Sequence, residues 1–203
     1  MEIKMLQVAP LGTNCYLVCD EAEKVCAVVD PGGDAVRIAT VVKDAGYQAA
    51  CILLTHGHYD HTGGVAGLRK LWPEVPVYLS HKDRFPAGTP EAQLFLPLEG
   101  EIRDYGEGDT VTVGSLQIRV LSTPGHSEGS VCLLCGDALI AGDTLFAGSC
   151  GRIDLPGGDR GAMLFSMERL AEVEADYRLF PGHGRSSTLK QEQKTNPSLK
   201  GIL

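Results

Sequence analysis

His56, His58, Asp60 and His61 lie within six consecutive positions of the stretch Thr55-His56-Gly57-His58-Tyr59-Asp60-His61-Thr62-Gly63-Gly64, so three of the chain's six histidines share one short segment. Imidazole and carboxylate are ligands suited to zinc, iron and manganese. Crowded together, such groups disfavour each other's protons and leave lone pairs that a cation satisfies directly. A solvated surface loop has no use for that crowding. The chemistry this stretch offers is metal chemistry.

The flanking elements must aim it. Cys51-Ile52-Leu53-Leu54 is an apolar run of buried-strand length. The residues from Thr62 to Leu68 read as a turn into a helix over 63–71, stopped by Pro73. The histidines and Asp60 are thus expected on a strand-to-helix loop, where open α/β sheets bind ligands. Three further candidates stand in the same relation to a strand. His126 follows Ile118–Leu121, Asp143 follows Leu139-Ile140-Ala141, and His183 follows Leu179-Phe180. Each sits in a turn with glycine or proline, residues that set backbone direction. If these strand ends share one edge, seven groups converge: His56, His58, Asp60, His61, His126, Asp143 and His183. One catalytic zinc takes about three protein ligands plus water. Seven, with one carboxylate shared, suit two divalent ions about 3.5–4 Å apart. His81 has no partner at motif spacing and is read as structural.

The rest of the chain alternates in the same way. Strands are expected over 3–8, 15–19 and 25–29, the last closed by the turn Asp30-Pro31-Gly32-Gly33. A helix over 35–45 follows, with Asp34 as its cap, then a strand over 75–79. Residues 86–100, with Pro86, Pro90 and Pro97, read as an irregular excursion and a candidate lid or substrate-contacting segment. Strands over 110–113, 116–121, 130–134 and 138–141, a helix over 160–173, a strand over 178–180 and helical turns over 188–194 complete the pattern. Thr123-Pro124-Gly125-His126 echoes Phe180-Pro181-Gly182-His183, a hint of a duplicated β-rich half.

The 203 residues suit one domain, 1–203, with 43% hydrophobic and 22% charged residues. A net charge of −8 disfavours nucleic acid as a partner. The N-terminus has no signal-peptide core, and no run approaches the roughly 18 apolar residues of a membrane span. A soluble cytoplasmic protein without a membrane partner is expected. The seven cysteines show no disulfide framework. Cys132-Leu133-Leu134-Cys135 has metal spacing, but in a strand residues three apart face opposite ways, so both are read as packing.

The His-x-His-x-Asp-His loop, with later His, Asp and His each in its own turn, resembles the metallo-β-lactamase-fold hydrolases, from Asn14-Cys15-Tyr16-Leu17-Val18 through Asn196-Pro197. The resemblance implies an α/β fold, an αββα four-layer sandwich with a dinuclear site at one edge of the two packed sheets. It is closest to single-domain glyoxalase-II-like hydrolases, through Thr123-Pro124-Gly125-His126-Ser127, Gly142-Asp143-Thr144-Leu145-Phe146 and Gly151-Arg152-Ile153-Asp154. By that match one metal is held by His56, His58, His126 and Asp143, and the second by Asp60, His61, His183 and the bridging Asp143. The metals are expected to be zinc, with iron or manganese as alternatives. The implied reaction is hydrolysis of a small-molecule thioester by a hydroxide bridging the metals. Asp60 orients the hydroxide, and Arg152 and Asp154 steady the ligand loops. Cys150 is read as packing.

Lactamases of the family carry Cys or Ser where this chain has Asp143, and they are exported, which argues against antibiotic degradation. Full-length glyoxalase II has a C-terminal helical domain and Gly-His-Glu-Tyr at the last ligand. Here 20 residues follow His183, and the match is Gly182-His183-Gly184-Arg185, so the resemblance stops short of the glutathione contacts. Persulfide dioxygenases, with one iron at positions matching His56, His126 and Asp143, are the alternative. They carry His-Asp-Tyr at the last ligand. Lactones and other esters are a further substrate alternative, and a non-catalytic metal scaffold is the third reading.

Overall fold

The computed structural model describes residues 1–203. The first half of the chain builds one six-stranded sheet and the second half another. In the first sheet the spatial order follows the chain: β1 (Glu2–Val8), β2 (Thr13–Asp20), β3 (Val25–Val29), β4 (Gln48–Leu53), β5 (Val77–Tyr78) and β6 (Ile102–Arg103). β1 to β3 are antiparallel, and β3 to β6 are parallel. The second sheet has β7 (Thr110–Val113), β8 (Leu116–Ser122), β9 (Val131–Cys135) and β10 (Ala138–Gly142) in antiparallel succession. β13 (Arg178–Pro181) runs parallel to β10, and β14 (Ser187–Thr188) closes the edge. A hairpin of β11 (Leu145–Phe146) and β12 (Ser149–Cys150) stands apart.

Strand alternation divides the apolar residues into layers. From β2, Cys15, Leu17 and Cys19 join Ile38 and Val42 of α1 (Ala35–Asp44) and Val65 and Leu68 of α3 (Val65–Leu71). The intervening Tyr16 and Val18 face Val120, Leu133 and Ile140 of the other sheet. The outer face of the second sheet meets Met163, Met167 and Leu170 of α4 (Arg160–Ala171) and Leu189 of α5 (Leu189–Thr195). These three buried layers make the expected αββα sandwich. Cys132 lies in the outer layer and Cys135 in the layer between the sheets, so the two cannot share a metal. All seven cysteines are unpaired.

Some local expectations are corrected. Asp34 does not cap α1: its backbone is left-handed, with φ 51°, and its Oδ2 accepts from the Ala9 N–H instead. Asp159 does cap α4, accepting from the Ala162 N–H at 2.7 Å. The strand expected over 75–79 shortens to Val77–Tyr78. The Pro-Gly-His echo belongs to β8 and β13 of one sheet, so it is no sign of two repeated halves. Residues 86–100 are indeed irregular, with one 3₁₀ turn at Glu91–Gln93. No helix is long and apolar enough to cross a membrane.

Candidate metal centre

β8, β10 and β13 share one direction, since each of the first two is antiparallel to β9 and β13 is parallel to β10. Their C-terminal ends therefore open at one edge. β4 ends at the same edge, where the Val131 N–H of the second sheet donates to the Thr55 carbonyl. After β4 the chain makes a short helical turn, α2 (Tyr59–Thr62), rather than the open loop expected, and His58 stands at its N-terminus. Asp60 and His61 thus project from a helical turn in which the His61 and Thr62 N–H groups donate to the His58 carbonyl.

The structure brings together all seven residues singled out. His56, His58 and His126 form one cluster, Asp60, His61 and His183 a second, and His56, His61 and Asp143 join them, with the ligating atoms of each group within 4.8 Å of one another. His58 Nδ1 lies 2.9 Å from His126 Nε2, and His183 Nε2 lies 3.1 Å from Asp60 Oδ2. Asp143 stands between the clusters. Its Oδ1 is 3.4 Å from His61 Nε2, and its Oδ2 is 3.6 Å from both His126 Nε2 and His183 Nε2.

Hydrogen bonds on the far side of the rings settle which nitrogen faces the centre. The Arg152 carbonyl can only accept, so His126 Nδ1 donates to it at 2.8 Å and Nε2 keeps its lone pair. Asp30 Oδ2 accepts from His61 Nδ1 at 3.0 Å. The Thr55 hydroxyl donates to Asp30 Oδ2 at 2.6 Å, which leaves its oxygen to accept from His56 Nδ1 at 3.2 Å. Three rings thereby present Nε2 lone pairs inward, the tautomer a metal needs. His56 Nε2, His61 Nε2 and Asp143 Oδ1 are buried without any hydrogen-bond partner. Buried polar atoms rarely lack one, and a cation at the centre would satisfy all three. The donor set therefore fits a metal.

For His56, His58 and His126 the electrostatics agree. Burial, reinforced by neighbouring imidazoles, pushes His56 well below the usual histidine range and His58 down to about 3. Burial likewise lowers His126. Neutral imidazole is the ligating form. Burial opposes charge on His61 too, but Asp143 and Asp30 outweigh it and hold His61 well above its usual value. For Asp143, burial acts against the carboxylate and His61 and His126 for it, leaving its value lowered.

Asp30 and Asp83 were missed in the sequence. Asp30, seen only as a turn former, also accepts the Thr55 N–H at 2.7 Å. Asp83 accepts from the N–H groups of Gly57 and Gly129 and from the Ser127 hydroxyl, tying the His56–His58 loop to the His126 loop. The D-P-G-G turn after β3 was the one signal for Asp30; Asp83, in a polar turn, had none. Arg152 and Asp154 pair bidentately at 2.7 Å with side chains 60% and 67% exposed. What steadies His126 is the Arg152 carbonyl, not that pair. His81 lies outside the centre, exposed and bonded to Asp104.

The centre opens into a cavity of about 500 Å³. Its lining includes the apolar side chains of Leu11, Leu94, Phe146 and Leu155, and Arg152 is the one arginine or lysine in it.

Residues 8–183 match the profile of the metallo-beta-lactamase superfamily. The chain belongs to that superfamily. Two relatives match it over nearly their whole length. The hydroxyacylglutathione hydrolase GloC of Haemophilus influenzae is 31% identical over 98% of each chain, and the probable metallo-hydrolase YqgX of Bacillus subtilis is 33% identical over 100% of this chain and 99% of its own. Among solved structures, the B3 metallo-beta-lactamase BLEG-1 superposes with a TM-score of 0.88 at 32% identity, covering 98% of this chain and all of its own. TTHA1623 in a di-iron-bound form gives 0.84 at 34% identity, covering 96% and 98%. As a metallo-beta-lactamase-fold protein with a His/Asp donor set, the chain is a metallo-hydrolase.

Proposed function

We propose that this protein hydrolyses small thioesters with a pair of divalent ions, the first held by His56, His58 and His126, the second by Asp60, His61 and His183, with Asp143 shared. The observation that carries the reading is the position of Asp143 between the two clusters, within 3.6 Å of nitrogens from both. Zinc is the proposed metal, with iron as the alternative that the di-iron form of TTHA1623 supports. When bound, such ions lower the pKa of a water and stabilise negative charge on a carbonyl oxygen.

The protein's own groups do the remaining work. The Thr13 hydroxyl donates to Asp60 Oδ2 at 3.1 Å, which fixes the carboxylate that orients the attacking water. Leu11, Leu94, Phe146 and Leu155 keep bulk water from an acyl chain beside the centre. No serine or cysteine nucleophile is needed. A substrate with carboxylates on its thiol arm finds only Arg152, already paired with Asp154. That supports small or neutral thiols alongside the acylated glutathione that the likeness to GloC suggests. Seven unpaired cysteines support a reducing, cytoplasmic setting, and one continuous sandwich supports residues 1–203 as a single domain.

The test uses one preparation loaded separately with zinc and with ferrous iron. Thiol release from acylated glutathione and from simpler acyl thiols is followed without oxygen, and oxygen uptake with glutathione persulfide is followed in parallel. Zinc is redox-inert, so thioester cleavage with zinc is the expected result. Iron-dependent oxygen uptake without anaerobic cleavage would replace this reading with a persulfide dioxygenase. A second reading, lactam hydrolysis, is favoured by the likeness to BLEG-1. A β-lactam chromogenic substrate in the same assay decides it.

A further inference from the structure

His56, His61 and His126 each have the outward ring nitrogen bonded to an oxygen, from Thr55, Asp30 and Arg152 in turn. His58 breaks the pattern. Its Nδ1 faces His126, and its Nε2 is buried with no hydrogen-bond partner. A ring without an outer hydrogen bond needs another constraint to stay oriented. That constraint is aromatic. The Phe95 ring packs on His58 with centroids 4.5 Å apart at 46°, and Phe95 is only 1% exposed.

Phe95 is itself firmly placed. The Phe85 ring packs on it with centroids 4.7 Å apart, and the Phe95 N–H donates to the Glu91 carbonyl at 2.9 Å. The Tyr59 N–H donates to the Leu94 carbonyl at 2.7 Å, docking the excursion directly onto α2. Gly57 completes the fit, since a Cβ there would come within 2.7 Å of Phe95 Cδ1. Residues 86–100 are therefore clamped to the metal-binding loop by the Phe95 ring and the Leu94 carbonyl, while Leu96 beside them is 45% exposed.

We propose that Phe95 is the positioning residue for His58, doing by packing what an oxygen acceptor does for His56, His61 and His126. The ring holds Nδ1 toward the centre and keeps water from Nε2. An acceptor both orients a ligand and raises its basicity, whereas an apolar clamp only orients it. The His56–His58–His126 position then depends on the Phe95 ring, which packs on no histidine of the Asp60–His61–His183 position. This rests on the reading that both groups hold ions.

The experiment is stepwise chelator competition on the full chain loaded with cobalt, comparing the parent with Phe95→Ala, Phe95→Leu and Leu96→Ala. In Phe95→Ala one ion should be lost with affinity reduced about 10- to 100-fold and the other unchanged. Phe95→Leu, which keeps an apolar contact, should fall between, and Leu96→Ala should match the parent. Two equal affinities in Phe95→Ala and the parent would overturn the proposal. So would an equal loss at both positions, which a merely structural role produces. If Phe95→Ala does not fold, Phe95→Leu carries the same comparison. A second readout needs no metal: imidazole proton–nitrogen correlation spectra of the apo protein should show the His58 signals altered in Phe95→Leu, with those of His61 intact. Unaltered His58 signals would count against Phe95. A parent that binds no second ion would instead refute the dinuclear reading, and the apo spectra would still judge Phe95.

Discussion

The carboxylate of Asp30 accepts from His61 Nδ1 at 3.0 Å across 31 positions of sequence, and the same oxygen accepts from the Thr55 hydroxyl that supports His56. One buried residue at the end of β3 thus orients a histidine from each cluster of the metal centre. It reaches them because β3 and β4 are parallel neighbours, with Val29 opposite Leu53 and the Asp30 N–H bonded to the Leu53 carbonyl.

Asp30→Asn tests that hub. Its backbone has φ 50°, a conformation that asparagine also tolerates, so the change removes charge and accepting capacity rather than shape. Metal affinity should fall about 10- to 100-fold, read by chelator competition. A variant that binds metal as the parent does would assign Asp30 to folding alone.

Asp143→Ala should abolish turnover and sharply weaken retention of at least one ion, since Asp143 is the carboxylate within 3.6 Å of ring nitrogens from both clusters. His81→Ala removes an exposed ring bonded to Asp104 and should change neither property. Metal titration and a thioester assay on both variants make the comparison. Equal behaviour of the two would show the ligand assignment to be wrong.

Gly182→Ala should damage the centre without dissolving the fold. A Cβ there would collide with Asp143 Oδ1 and His61 Cε1, which must approach this backbone closely. Overpacking of this kind costs about 1–3 kcal/mol. A modest drop in melting temperature with a large drop in metal content is the expected pair of results.

Asp20 offers a prediction in pH. Its carboxylate accepts from the Ser115 hydroxyl and N–H and from the N–H groups of Ala22 and Glu23, joining the β2–β3 turn to the β7–β8 turn of the other sheet. The Ser115 hydroxyl, then its N–H, hold the carboxyl well below its usual range. A lowered folded value means stabilisation that is present above the unfolded value of about 3.9 and lost as pH falls through the folded one. Asp20→Asn should therefore melt a few degrees below the parent at neutral pH, and the gap should shrink below about pH 4. Thermal melts across that range check it. A gap that stayed constant with pH would exclude the carboxylate as its source.

The amino-acid sequence by itself determined the ligand types and the strand ends that carry them, while the layered sandwich was implied by the resemblance to a family. The first two follow from local rules: apolar runs make buried strands, glycine and proline make turns, and clustered imidazoles want a cation. Even the packing role of Cys132 and Cys135 was legible, because strand alternation is local. Tertiary structure decided what depends on distant neighbours. Asp34, a good cap by type, turned instead to Ala9. Asp83 and Phe95 carry no local mark of their roles and Asp30 only that of a turn, since the three act across 25 to 37 positions, on Gly57, on His58, and on His61 and Thr55. Which ring nitrogen faces the metal was likewise decided by acceptors from other strands and loops. A side chain's type sets which bonds it can make, but only the folded chain sets which partners are within reach when water is gone.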